Sequence, residues 1–129
     1  MTKFLLDTDV LIDIQRGYQP AERWFFGLSE IPSIAGFVAM ELIQNSQNKQ
    51  RLQSTQKLLS PLPIIWPTES DCARALSDFT AYHLSHSVGL IDALIAACAV
   101  GQNATLYTFN TKHYQIIPRL KIEQPYSRG

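Results

Sequence analysis

With 129 residues and 46% hydrophobic content, the chain has apolar matter for one folded core and too little length for two, which excludes a disordered tail or a multidomain enzyme. Lys plus Arg total 11 and Asp plus Glu total 11, so a uniformly basic coat for nucleic acid is excluded, whereas a local basic patch is not. Only Cys72 and Cys98 carry thiols, each in an apolar helical setting, which reads as two small buried residues in a reducing compartment rather than a disulfide framework or thiolate metal site.

In chain order, Phe4-Leu5-Leu6 is a short apolar run bounded by polar residues, as a buried strand requires. No apolar leader precedes it, so no signal peptide is expected. "VLIDIQRG" predicts a short helix ending at Gly17, and "AERWFFGLS" another turn or two started by Pro20. A second strand is expected over 31–37 ("IPSIAGF"), followed by a helix in "VAMELIQNSQN". "KQRLQSTQKLLSPL" is amphipathic and basic, and "PIIWP", 63–67, is a third strand closed by prolines. "TESDCARALSDFTAYHLSH" carries a Thr or Ser cap and early acids, as helix N-termini prefer. After "HSVG", the almost wholly apolar "LIDALIAACAV" must lie inside, yet it is far too short to cross a bilayer. "ATLYTFN" is a fourth strand and "LKIEQPY" a candidate fifth. Strands alternating with helices imply crossover connections. The expected fold is one α/β domain over 1–129, three-layer α/β/α with a mainly parallel sheet of four to five strands, in a soluble cytoplasmic protein.

Several acids sit where that sheet should bind ligands, beyond the carboxyl ends of its strands. Asp7 and Asp9 directly follow the first strand, Glu41 comes soon after the second among apolar neighbours, and Asp92 opens the buried helix. Asn110, with Thr108, follows the fourth strand. Clustered carboxylates repel one another and resist desolvation, and a hard divalent cation such as Mg²⁺ or Mn²⁺ resolves both costs. Each acid also has a plainer reading. Asp7 could be a loop residue capping the next helix, with Thr8 or Asp9 as N-cap, Glu41 could be a snorkelling or exposed helix position, Asp92 could favour the positive end of its helix, and Asp13 reads as an ordinary exposed helix acid. His83 and His86 read as surface or capping residues at a helix end. It is the recurrence at corresponding ends of four elements that favours a shared site.

Taken together, "FLLDTDVLID", "SIAGFVAMELIQN", "GLIDALIAACAV" and "TLYTFNTKHYQIIPRLKIEQPY" resemble the PIN domain, and more narrowly the VapC-type ribonuclease toxins of toxin–antitoxin pairs, over essentially the whole chain. The resemblance implies a Mg²⁺ or Mn²⁺ site at Asp7, Glu41 and Asp92 and metal-dependent hydrolysis of RNA phosphodiester bonds. Many relatives carry a further acid after the fourth strand; here Asn110 or His113 takes its place. Asp9 replaces a common Asn, and Thr8 and Thr108 would support the ligands from behind. Lys49 and Arg51, with Lys57, and a second run including Lys112 and Arg119 beside His113 and Lys121, are candidate RNA contacts, although the first run could be only a solvated helix face. The implied partners are RNA, a cognate antitoxin covering the site, and a second copy in a homodimer. Trp24, Phe25 and Phe26 are candidates for the antitoxin contact or for core packing.

Two rivals remain. "FLLDTDVL" also fits the opening of haloacid-dehalogenase-like phosphatases, but "TFNTKH" lacks the acidic pair that family needs. A PIN-like module that binds RNA or protein without cleaving is the other, supported by the missing fourth acid.

Overall fold

The computed structural model describes residues 4–129, so the first three positions of the expected domain lie outside the described residues. Five strands, β1 (Phe4–Leu6), β2 (Ile34–Ala35), β3 (Ile64–Ile65), β4 (Thr105–Tyr107) and β5 (Lys121–Glu123), all pair in parallel. β1, β4 and β5 form one ladder and β2 and β3 another. A parallel bridge between Leu5 and Ser33 joins them. There the Leu6 N–H donates to the Ser33 carbonyl (3.1 Å) and the Ser33 N–H to the Phe4 carbonyl (3.0 Å). The resulting order is β3-β2-β1-β4-β5, and β1 and β4 flank the point where the order reverses, the usual position of a ligand crevice in such sheets.

Seven helices connect these strands: α1 (Thr8–Gln15), α2 (Gln19–Phe26), α3 (Gly36–Gln44), α4 (Lys49–Leu59), α5 (Glu69–His86), α6 (Leu90–Gly101) and the single turn α7 (Thr111–Tyr114). The one-turn α7 is too short to show a helical period, which is why the sequence did not predict it. Gly17 follows α1 with φ +75°, the left-handed conformation that lets a chain leave a helix sharply. Thr68 caps α5 in a reciprocal capping box with Asp71.

The second and third strands are shorter than the apolar runs suggested. Only Ile34–Ala35 and Ile64–Ile65 pair, because Gly36 already begins α3 and prolines close β3. A Cβ at Gly36 would collide with the ring of Trp66, so the missing side chain is what lets α3 start against that indole. The core gathers Leu5, Leu6, Val10, Leu11, Ile34, Val38, Ile95 and Leu106, all fully buried. Five of the buried α6 residues are small, namely Ala93, Ala96, Ala97, Cys98 and Ala99, so α5 packs closely on α6. Two expectations fail at the helix surfaces. Leu90 stays 59% exposed at the start of α6, and Cys72 is exposed on α5, at a surface hollow that it lines with Leu90, Ala93 and Leu94 of α6. Burial does raise the Cys98 thiol, to about 12. No helix among the described residues is long and apolar enough to cross a membrane.

Candidate active site

Asp7 ends β1 and caps α1, its Oδ1 accepting from the Thr8 N–H at 2.8 Å. The capping role proposed for it is therefore real, but it uses only one carboxylate oxygen. The other, Oδ2, accepts from the Thr108 hydroxyl just past β4 at 2.8 Å. Asp9 sits two residues further, in the first turn of α1, and accepts from the Val10 N–H (2.8 Å) and the Phe109 N–H (2.9 Å), so the turn after β4 is tied to the first turn of α1. The Thr108 hydroxyl in turn accepts from the Asn110 N–H at 3.0 Å, fixing where Asn110 begins. Glu41 arrives from the second turn of α3 and accepts from the Thr8 hydroxyl at 2.6 Å. Asp92, in the first turn of α6, accepts from the buried Tyr114 hydroxyl at 3.2 Å.

Asp7, Glu41, Asp92 and Asn110 line one open polar hollow of about 400 Å³, together with Thr8, Asp9, Ile12 and Asn45. Six of the residues proposed from the sequence thus meet there, and Thr108 braces two of them from behind. His113 does not line the hollow; it lies half-buried on α7, which leaves Asn110 at the position after β4.

Charge is left unbalanced in this hollow. Burial and then the neighbouring Asp9 push Asp7 up to about 7, with Asp92 adding to the effect, and hydrogen bonds from Thr108 and Thr8 only partly offset it. Burial also raises Asp9, against hydrogen bonds from Phe109 and Val10 and the more distant Arg128 cation. Tyr114 is held well above its ordinary value by burial and by Asp7 and Asp92, so it stays a neutral donor. The donor set consists of carboxylate and amide oxygens with no histidine or cysteine, which fits a hard divalent cation and not zinc. Among the described residues no three acids, histidines or cysteines stand close enough to form a finished cage. An open, partly solvated set of this kind suits Mg²⁺, which keeps several of its own waters.

Not every expected residue comes to the hollow. Lys49 and Arg51 lie exposed in the first turn of α4, where Arg51 lines an adjoining groove. The second basic run splits. The Lys121 ammonium donates to Asn103 ahead of β4, at the opposite edge of the sheet, and Arg119 acts electrostatically on Asp78 of α5. Lys112 is exposed on α7 and outside the hollow. Of the aromatic run, Trp24 packs edge-on against Tyr107 at 4.9 Å, whereas Phe26 is 75% exposed.

Asp13 is not the ordinary exposed acid it looked like. The Tyr126 hydroxyl (2.7 Å) and the Arg128 Nε (3.0 Å) both donate to its Oδ2. The Arg128 guanidinium also lies 3.9 Å above the Phe109 ring, and Tyr126 packs edge-on against the same ring at 4.9 Å. The C-terminal segment therefore clamps the turn that holds Asp9. Its partners are more than a hundred positions from Asp13, so no local pattern could have revealed them.

Comparison with known proteins identifies the family and the fold. The sequence profile of the family described as PIN domain matches residues 4–117. Ribonuclease VapC10 from Mycobacterium tuberculosis is 33% identical over 120 residues, which cover 91% of this chain and 90% of that protein. A toxin–antitoxin complex from Klebsiella pneumoniae contains a chain 27% identical, with a TM-score of 0.78 over 97% of this chain and 99% of that one. VapBC2 from Rickettsia felis, bound to a DNA fragment from their promoter, contains one 26% identical, with a TM-score of 0.77 over 95% of this chain and 98% of that one.

Proposed function

This chain belongs to the PIN domain family, and from that premise we propose that it is a Mg²⁺- or Mn²⁺-dependent endoribonuclease, the toxin of a type II toxin–antitoxin pair. The observation that carries the reading is the shared hollow, in which Asp7, Glu41 and Asp92 converge from three elements and Asp7 is pushed up to about 7 by burial and by the neighbouring Asp9. Asp7, Glu41 and Asp92 would hold the ion, with Asn110 contributing an amide oxygen where many relatives place an acid. When bound, such an ion supplies a water acidic enough to attack a phosphodiester at neutral pH and offsets charge developing on the phosphate.

The chain's own residues do the positioning. Thr8 orients Glu41, Thr108 orients Asp7, and the neutral Tyr114 hydroxyl holds Asp92. Asp9 anchors the turn carrying Asn110 by accepting from the Phe109 N–H. Ile12 gives one wall of the hollow an apolar surface. Lys49, Arg51, Lys112 and Arg119 are the cations proposed to attract the substrate backbone, with Arg51 lining the groove that adjoins the site and Lys112 two residues beyond Asn110. The partners proposed are an RNA substrate, an antitoxin protein as in the VapBC complexes, and a second copy in a homodimer, all in the cytoplasm.

The test is incubation of the purified protein with structured RNA and Mg²⁺, beside EDTA and Asp7→Asn controls. Cleavage that EDTA and the substitution both abolish supports the reading. Cleavage insensitive to Asp7→Asn would remove the metal assignment. Absence of cleavage on any RNA would favour a binding module, the reading for which Asn110 in place of an acid speaks.

A further inference from the structure

Each of the three acids in the hollow receives a side-chain hydroxyl, and one of these bonds differs from the other two. Thr8 reaches Glu41 at 2.6 Å and Thr108 reaches Asp7 at 2.8 Å, the lengths expected of a hydroxyl on a carboxylate. Tyr114 reaches Asp92 at 3.2 Å, which is long for such a bond. Among the described residues no other group donates to the Asp92 carboxylate, so nothing competes with the phenol for it from that side.

The length has a cause in each partner. Tyr114 is 1% exposed and its ring belongs to the hydrophobic core. Its backbone is fixed as well: the N–H donates to the Asn110 carbonyl at 3.3 Å, and the carbonyl accepts from the Ile117 N–H at 3.0 Å. A tyrosine held in this way can turn its O–H bond but cannot carry the oxygen toward one acceptor. Asp7 acts on the same hydroxyl, by charge and by hydrogen bonding, as Asp92 does. A phenol has one proton to donate, and this one stands between two carboxylates. Tyr114 does not line the hollow, so it meets both acids from the protein side and leaves their other side to the solvent.

We propose that Tyr114 is a positioning residue that sets the spacing of Asp7 and Asp92, and through it the size of divalent ion the site prefers. The proposal rests on the metal-dependent reading above and names what makes that site selective. One donor shared between two like charges offsets their repulsion and holds them close. Without it the pair is free to separate. Mg²⁺ demands near-octahedral oxygens at about 2.0–2.1 Å, whereas Ca²⁺ accepts a flexible shell at about 2.3–2.6 Å, so a loosened pair penalises the small ion more than the large one. Asn110 caps the single turn α7 that ends at Tyr114, so the same hydroxyl also ties the amide of the hollow to its acids.

The test is electron paramagnetic resonance of Mn²⁺ added to the full chain, with Mg²⁺ and Ca²⁺ measured by their displacement of the bound ion. Tyr114→Phe keeps the ring in the core and removes only the hydroxyl. It should weaken Mn²⁺ and Mg²⁺ about 10- to 100-fold, the usual cost of losing a group bonded to a metal ligand, and Ca²⁺ less. Raising Mg²⁺ should restore its kcat toward wild type, with KM for the RNA unchanged. Tyr82→Phe on α5, which loses a hydroxyl away from the hollow, should leave every affinity as it was. Equal weakening of all three ions overturns the proposal, because it would reduce the hydroxyl to a charge effect without control of spacing. Thermal melts in EDTA check that Tyr114→Phe folds. If it does not, fluorotyrosine at the five tyrosines of the wild type carries the test. Mg²⁺ should then shift one fluorine resonance, and Asp92→Asn should abolish that shift; no resonance moved by Mg²⁺ overturns the proposal. Wild-type protein that binds none of the ions refutes the metal reading and this proposal together. Wild type that binds them while Tyr114→Phe binds them equally well refutes the role of Tyr114 alone.

Discussion

Asp7 and Asp71 expose similarly little surface, 6% and 9%, and end in opposite states. Asp71 lies nearer the surface, where burial raises it but hydrogen bonds from the Thr68 N–H at 3.0 Å and from Arg74 at 2.9 Å outweigh that cost, and its carboxyl is held below the usual value. Arg74 is itself shared with the Ala97 carbonyl at 2.9 Å, which ties α5 to α6. Asp7 receives a hydroxyl and one N–H, faces Asp9 and Asp92, and is raised to about 7. Asp71 has its counter-charge in the same chain, on Arg74, whereas Asp7 has only hydrogen-bond donors and two acidic neighbours.

The sharpest way to break this contrast is to neutralise each acid in turn. Asp7→Asn should reduce RNA cleavage by about 100-fold or more, the scale on which losses around a metal site are felt. The same change should raise the melting temperature in EDTA, because an amide escapes both the desolvation cost and the repulsion from Asp9. Single-turnover cleavage and thermal melts on one preparation check both halves. An active variant, or a destabilised one, would place Asp7 with Asp71 as a structural acid.

The pH dependence follows with a definite sign. An acid raised from about 3.8 to about 7 on folding keeps, in between, a proton that the unfolded chain has lost. The metal-free protein should therefore lose stability as pH rises through that window and level off above it. Melts in EDTA should show a higher Tm at pH 5 than at pH 7.5. Added Mg²⁺ should raise Tm more at pH 7.5 than at pH 5, and Asp7→Asn should remove most of the slope.

Asp71→Asn is the converse. It should leave cleavage within about twofold and lower stability by about 1–3 kcal/mol, the range for breaking a partly buried charged hydrogen bond. The Arg74 guanidinium already carries one buried Nε without a partner, so it tolerates little further loss. Denaturant melts decide this.

What could be read beforehand follows the same division. Asp7, Asp92 and Asn110 were visible because each follows a strand or opens a helix, and the end of an apolar run is a local signal, whereas Glu41 stood out only as an acid among apolar neighbours inside α3. Strand lengths were not: the 31–37 run looked like one strand, yet Gly36 gives up pairing to start α3 beside Trp66. Cys72 was expected to be buried as a small residue on a helix, but how far its side of α5 is covered depends on where α6 packs. The Gln15 contact to Thr55 carried no signal at all, since it depends on α4 arriving beside α1. Local chemistry announces itself in the sequence, whereas contacts made by chain return do not.

The smallest effect belongs to the clamp at Asp13, a third acid intermediate between the other two. Its Oδ2 has two donors, as a structural acid should, but both come from the C-terminal segment, and the Arg128 side chain is 45% exposed. A half-exposed ion pair contributes only about 0.2–1 kcal/mol, so Asp13→Asn should barely move the melting temperature. What it loosens is the Phe109 ring, held between Arg128 and Tyr126, whose N–H fixes Asp9. Cleavage should fall about two- to fivefold through kcat with KM unchanged, well below the 10–100-fold typical of residues bonded directly to metal ligands. Arg128→Ala should match it, and the double variant should add little, because both act through one contact. Additive losses, or a change confined to KM, would show instead that the C-terminal segment touches the RNA itself.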